Sequence, residues 1–200
     1  MRNENLFFTF ASNPNKTPTM KTIQVSDKKF QLYLSAKQIA TRVKEMATTL
    51  RHHLKDVENP LFVGMLSGSF VFVADFLRAF GKPAEIQFVK CSSYQGTQSS
   101  GSLKEELGLG DIDLKGRTVI VLEDIIETGL TMQSFVEKLQ EKGPNNVLVV
   151  ALFYKPQLNK SSVFPYITGF SIPDDFIVGY GLDYNQQGRN LANVYSVISD

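Results

Sequence analysis

The chain has 200 residues, 42% of them hydrophobic and 11% aromatic, which is enough for one globular domain with a buried core. Its 21 Lys and Arg balance 20 Asp and Glu, which excludes the basic excess of a protein that tracks a nucleic-acid backbone, and no nucleic-acid partner is expected. No run reaches the roughly 18 apolar residues of a membrane span, so no membrane partner is expected either. Met1 to Phe10 carry no long apolar segment with a small-residue cleavage site, and the single cysteine, Cys91, has no intrachain partner. A reducing, cytoplasmic setting is expected, with Cys91 a buried core thiol.

Residues 1–19, rich in Asn, Thr and Pro and followed by a second methionine, Met20, read as a loose extension, and residues 20–200 as a single domain. Ser35 with Gln38 makes a capping box, and Ile39, Val43, Met46, Leu50 and Leu54 follow at the spacing of an amphipathic helix. His52 and His53 near its end read as partners of the helix dipole, because sequence neighbours on a helix do not face one metal ion. After Asn59-Pro60, residues 61–66 form an apolar strand, Ser67-Gly68-Ser69 a tight loop, and residues 70–80 a helix closed by Gly81 and Pro83. Residues 85–91 read as a second strand that runs into a polar, Gly/Ser-rich stretch ending near Ser102. Residues 118–122 are a third strand. A loop and a helix carrying Met132, Phe135, Val136 and Leu139 follow, up to Gly143-Pro144, and residues 147–153 are a fourth strand. Strands alternating with helices predict an α/β fold, a parallel sheet with right-handed crossovers and helices on both faces. Residues 164–198 show short β-rich segments without helical periodicity and read as an irregular cap.

The third strand delivers two adjacent acids, Glu123 and Asp124, at its carboxyl end, where open α/β sheets bind ligands. Thr128-Gly129-Leu130-Thr131 then offers backbone N–H groups and two hydroxyls at a helix start, a geometry that binds a phosphate monoester. Acids beside an anion cradle repel the ligand unless a cation bridges them. Mg²⁺ does so by taking carboxylate oxygens while holding sugar hydroxyls or phosphates. Taken alone, the acids could be polar strand-end residues and Thr128 a helix cap.

The whole string from Val119 to Thr131 resembles the phosphoribosyl pyrophosphate motif of type I phosphoribosyltransferases: an apolar run, two acids, two apolar residues, an acid, Thr-Gly and a final Thr. From about Lys21 onward, further signatures follow in the order of the hypoxanthine-guanine branch. Leu66-Ser67-Gly68 stands where that branch has Leu-Lys-Gly, the loop whose strained peptide turns backbone donors to pyrophosphate. Ser93-Tyr94 resembles the pair that opens a mobile catalytic loop, here residues 95–102. Lys155 follows the fourth strand like the lysine that hydrogen-bonds the purine 6-oxo group. The segment from Phe170 to Asn185, with Arg189 beyond it, resembles the base-binding segment.

The resemblance implies a type I phosphoribosyltransferase fold with a small β-rich hood built from the N-terminal and C-terminal segments, and a homo-oligomer, dimer or tetramer. It implies transfer of a 5-phosphoribosyl group from phosphoribosyl pyrophosphate to a 6-oxopurine in purine salvage. Glu127 is then the catalytic base at purine N7. Thr128, Gly129, Leu130 and Thr131 hold the 5′-phosphate, and Glu123 with Asp124 positions the ribose. Leu66, Ser67, Gly68, Ser93, Tyr94 and Arg189 meet the remainder of the pyrophosphate donor. Phe176 stacks on the base, Lys155 reads its 6-position, the backbones of Ile177 and Asp183 meet its edge, and Glu123, Asp124 and Asp183 hold Mg²⁺. Two residues depart from the pattern. Ser67 removes a positive charge near pyrophosphate or the subunit interface, and Glu127 replaces an aspartate, which keeps the chemistry but adds one methylene. A regulatory protein that senses phosphoribosyl pyrophosphate, or an enzyme for another base, are the competing readings. Against a sensor stand a purine platform it has no use for and the lack of a DNA-binding helix-turn-helix.

Overall fold

Ser35 caps the first helix as its sequence requires: its hydroxyl accepts from the Gln38 backbone N–H at 3.3 Å, and the Gln38 side chain accepts from the Ser35 backbone N–H at 3.0 Å. That helix lies in a computed structural model that describes residues 8–9, 21–92, 104–110 and 112–198. In chain order the elements are β1 (Phe8–Thr9), β2 (Thr22–Val25), β3 (Lys28–Leu34), α1 (Ala36–His53), β4 (Leu61–Leu66), α2 (Phe70–Phe80), β5 (Glu85–Ser92), β6 (Lys104–Leu107), β7 (Thr118–Ile126), α3 (Leu130–Glu141), β8 (Asn146–Tyr154), β9 (Ile167–Ser171), β10 (Ile177–Val178) and β11 (Val194–Val197).

The apolar strands are continuous because both faces of their sheet are covered. Phe62, Ile120, Leu122, Val150 and Leu152 point to one side, onto α1 and α2, and Leu61, Val63, Val119, Val121, Val149 and Ala151 point to the other, with Met132, Phe135 and Leu139 of α3. Strand order is β1-β9-β8-β7-β4-β5-β6, with β9, β8, β7, β4 and β5 parallel and β6 antiparallel to β5. The chain leaves β4 toward β5 but leaves β7 toward β8. The crevice between the carboxyl ends of β4 and β7 is therefore the topological switch point, the place where such sheets bind ligands. A second, small antiparallel sheet, β10-β11-β3-β2, closes around Val25, Phe30, Val178 and Tyr195 and joins the β2–β3 hairpin to β10 and β11.

Several boundaries differ from the sequence reading. The third strand does not stop at Leu122 but runs to Ile126, because pairing with β8 continues to Ile126 opposite Tyr154, so Glu123 and Asp124 lie inside the strand. Residues 164–198 are not all cap, since β9 joins the main sheet beside β8 with Ile167 fully buried. Cys91 is half-buried against the α3-side core, where the register shift between β5 and the short edge strand β6 leaves it incompletely covered. Phe8–Thr9 pair in parallel with β9, and the remainder of residues 1–20 lies outside the described residues. His52 and His53 stand in the last turn of α1, and the His53 ring packs on Tyr166 with Nδ1 2.7 Å from the hydroxyl, consistent with a structural place. No helix among the described residues is long and apolar enough to cross a membrane.

Tyr180, in the turn after β10, ties the hood to the main sheet's helical layer. Its buried hydroxyl donates to Asp75 of α2 at 2.7 Å, and Asp75 is also paired with Arg78. Burial, and then the Asp75 carboxylate, push the Tyr180 phenol well above its ordinary range, so it stays a donor. Tyr180→Phe is expected to lower stability by about 1–2 kcal/mol, read as a shift of the urea midpoint at unchanged slope.

Candidate active site

Asp124 is the point where three backbones meet. It is buried in β7, and Gly68, just past β4, lies so close that a Cβ there would run into the Asp124 carboxylate. Gly181, at φ 100°, lies equally close over the Gly68 carbonyl, where a side chain has no room. The Leu66–Ser67 peptide that leads into this contact is cis. Ser67 is exposed, whereas Ser69 is fully buried and gives its hydroxyl to the Met65 carbonyl instead of capping α2. The turn that carries Gly181 also holds a tight pair: Arg189 donates from Nη1 to the Gly181 carbonyl at 2.8 Å and meets the Asp183 carboxylate through Nη2 at 2.6 Å. The other Asp183 oxygen accepts from the Gln186 N–H at 2.8 Å.

Glu123 and Asp124 place two carboxyls side by side with little solvent. Burial pushes the Glu123 carboxyl well above the usual range, and Asp124 adds to the rise. Burial raises Asp124 as well, opposed by hydrogen bonds from Glu123 and the backbone and by the positive charge of Arg189. Two crowded acids of this kind suit a divalent cation that takes carboxylate oxygens or their waters. Among the described residues no cluster of three His, Cys, Asp or Glu is placed to hold a metal ion.

Beyond β7 the chain turns through Glu127, Thr128 and Gly129 into α3. Gly129, at φ 74°, is the N-cap of α3 in place of Thr128, and the helix start has no side-chain cap bond, which leaves the N–H groups of its first turn without an intrahelical partner. A hollow of about 170 Å³ is lined by Glu123, Glu127, Thr128, Gly129 and Thr131, while the Leu130 side chain is exposed beside it. Hydroxyls and N–H dipoles at a helix start are a geometry able to cradle an anion. The segment behind it is fixed from the β8 side. Lys160 donates its N–H to the Thr128 carbonyl at 2.9 Å, and the Asn159 side chain accepts from the Ser161 N–H and hydroxyl at 3.0 and 2.9 Å.

Lys155 lies at the end of β8, where its N–H donates to the Ile126 carbonyl at 2.9 Å. Its side chain is 5% exposed and its ammonium sits 2.5 Å from Glu127 Oε1 and 3.2 Å from Asp174 Oδ1. Burial favours the neutral amine, but the two carboxylates outweigh it and hold the pKa above its ordinary value, so the group is a charged donor. The added methylene of Glu127 is accommodated here, with the carboxylate laid on Lys155. Phe176 is 46% exposed; Phe30 and the edge of Tyr184 back its ring, with centroids at 6.4 and 5.7 Å. The Ile177 side chain is buried, which leaves its backbone as the part able to meet a ligand.

Contacts thus link the sequence-identified residues Gly68, Asp124, Asp183 and Arg189 in one group and Glu127 with Lys155 in another, while Phe176 stands two residues beyond Asp174, the second partner of Lys155, and packs on Phe30 and Tyr184. Ser93, Tyr94 and the loop 95–102 lie outside the described residues. Sequence reasoning missed Asp174, the 159–161 brace and the hairpin residue Phe30. Only Phe30 carried a signal, the alternation Phe30, Leu32, Leu34 of a half-buried strand.

A model of the phosphoribosyl transferase domain family matches residues 32–185. The chain belongs to the phosphoribosyltransferase family. A hypoxanthine-guanine phosphoribosyltransferase of Aquifex aeolicus is 38% identical over 87% of this chain and 98% of its own length. The crystal structure of a hypoxanthine phosphoribosyltransferase from Staphylococcus aureus superposes with a TM-score of 0.77 at 34% identity, covering 84% of this chain and 90% of that one. A hypoxanthine-guanine phosphoribosyltransferase from Bacillus anthracis does so with a TM-score of 0.77 at 32% identity, covering 90% and 99%.

Gly129→Ala tests the cradle. The new methyl group must take a left-handed backbone and meet Ser161 Oγ and Asn159 Oδ1, so a loss of about 1–3 kcal/mol in stability is expected, with a raised KM for phosphoribosyl pyrophosphate and little change in KM for the base. Thermal unfolding and steady-state kinetics measure both.

Proposed function

We propose that the chain transfers the 5-phosphoribosyl group of phosphoribosyl pyrophosphate to a 6-oxopurine, hypoxanthine foremost, forming the nucleoside 5′-monophosphate and pyrophosphate in purine salvage. The observation that carries the reading is a buried, charged Lys155 in contact with Glu127, which lines the hollow at the start of α3, with the exposed ring of Phe176 two residues beyond Asp174, the second partner of Lys155. A charged donor, a carboxylate and an aromatic face match the 6-oxo oxygen, the N7 proton and the flat ring of such a base.

In this mechanism the purine N9 forms a bond to ribose C1′, and the C1′–O bond to pyrophosphate breaks with its electron pair leaving on pyrophosphate. The N7 proton passes to a Glu127 carboxylate oxygen. Thr128, Thr131 and the N–H groups of α3 hold the 5′-phosphate, which fixes C1′ for in-line displacement. Leu66, Ser67 and Gly68 present their backbone to pyrophosphate. Arg189 pairs with its oxygens after exchanging its contact with Asp183. Glu123, Asp124 and Asp183 would hold Mg²⁺, which would supply positive charge against the departing pyrophosphate. Phe176 stacks on the base while the Ile177 backbone meets its edge.

Glu127→Gln is expected to reduce kcat by roughly 10²–10⁴ with nucleotide affinity almost unchanged, as measured by steady-state kinetics and titration calorimetry. Wild-type turnover in that variant removes Glu127 from the role of base. Lys155 explains discrimination against adenine: an ammonium has donors only, so the 6-amino group sets donor against donor. An unpaired buried donor costs about 1–3 kcal/mol, more when charged. Lys155→Met should therefore lose most hypoxanthine activity and narrow the hypoxanthine-to-adenine ratio of kcat/KM. A wild type that uses both bases equally, or a variant that keeps the wild-type ratio, refutes the 6-oxopurine assignment through Lys155.

A further inference from the structure

We propose that Asp174 keeps the Lys155 ammonium charged and aimed at the purine 6-position while Glu127 is being protonated, a positioning and specificity role that rests on the base-binding reading above. Among the described residues, Lys155 makes two ion pairs, with Glu127 and with Asp174, and its own side chain is shut away from water. In the resting protein the nearer partner is Glu127. That partner is lost during the reaction, because a carboxylate that accepts the N7 proton becomes a neutral acid and no longer balances the ammonium. A buried ammonium without a counter-charge tends to release its proton. Asp174 takes no part in the proton transfer, and its carboxylate, 63% exposed and 3.2 Å from the ammonium, remains beside Lys155 as its second partner.

The backbone around Asp174 is built to hold it there. On one side the Ile172 N–H donates to the carbonyl of Tyr154, the residue before Lys155, at 2.9 Å. On the other, the Phe176 carbonyl accepts from the Val197 N–H of β11 at 2.9 Å. One short stretch of chain thus joins the donor that reads the base edge to the ring that carries the base face, and Asp174 is its electrostatic link. Asp175 offers a control beside it. It is an acid of the same charge on the same loop, but its charge bears on Tyr33, whose phenol is raised by burial first and by Asp175 second.

The experiment compares wild type, Asp174→Asn, Asp174→Glu and Asp175→Asn with hypoxanthine, guanine and adenine under saturating phosphoribosyl pyrophosphate and Mg²⁺. Loss of a hydrogen bond between charged partners corresponds to roughly a ten- to a hundred-fold fall in kcat/KM for hypoxanthine and guanine in Asp174→Asn. Adenine turnover should fall far less, so the ratio narrows, and KM for phosphoribosyl pyrophosphate should stay at the wild-type value. Asp174→Glu should recover part of the ratio, and Asp175→Asn should match wild type. The proposal is overturned if Asp174→Asn keeps the wild-type ratio, or if Asp175→Asn shows the same loss. A wild type with no preference for 6-oxopurines, or a Lys155→Met variant with an unchanged ratio, overturns the base-binding reading instead, so the two failures are told apart.

Discussion

The stacking of Gly181 on Gly68, and of Gly68 on Asp124, sets how closely the parts of the site can approach. A turn of the hood, a loop after β4 and a strand lie one upon the next with no space for a Cβ at either glycine. Polypeptide backbone brought this near presents N–H groups and carbonyls, not side chains, to whatever fills the crevice. The switch point between β4 and β7 makes the convergence possible, since the chain departs from the two strands in opposite directions and leaves their ends uncovered.

Charge in the crevice is arranged in opposing pairs. Glu123 and Asp124 crowd each other and are held above their ordinary range, whereas Lys155 lies between Glu127 and Asp174, and Arg189 on Asp183. On the function proposed above, substrates would bring anions to the first group and a polar ring to the second, so binding would exchange contacts already made within the protein for contacts with ligand. That exchange favours ligands whose donors and acceptors replace those given up, which is a source of selectivity.

The main sheet was legible because its signals are local. Apolar runs such as residues 61–66 and 147–153, closed by Gly and Pro, declare strands, and Ser35 with Gln38 declares a helix start. The motif from Val119 to Thr131 was legible for the same reason, as its residues are contiguous. What was missed depends on distance in the chain. Nothing near Asp174 reveals that it meets Lys155, and nothing near Asp75 reveals Tyr180, because those pairs exist only after the sheet has set the separation of its strands. The strand end at Leu122 was drawn too early because two acids look like the close of a strand, yet the ladder with β8 satisfies their backbone groups as well as it does those of valines. The β2–β3 hairpin was overlooked although Phe30, Leu32 and Leu34 alternate with polar residues, since each strand is short and the turn at Ser26, at φ 53°, lacks the usual glycine.

The hood sheet also has a history in time. Phe30 of β3 lies opposite Val197 of β11 and backs Phe176, so the platform for the base joins segments from the two ends of the described chain. A chain emerging from the ribosome can assemble the anion cradle and its brace once Ser161 is out, but the aromatic platform must wait for the last strand. Until then β3 has β2 on one side and an open edge on the other, a pairing surface for any other strand nearby. Such long-range closure is slow relative to helix formation, which makes the hood sheet the late-forming part of the fold.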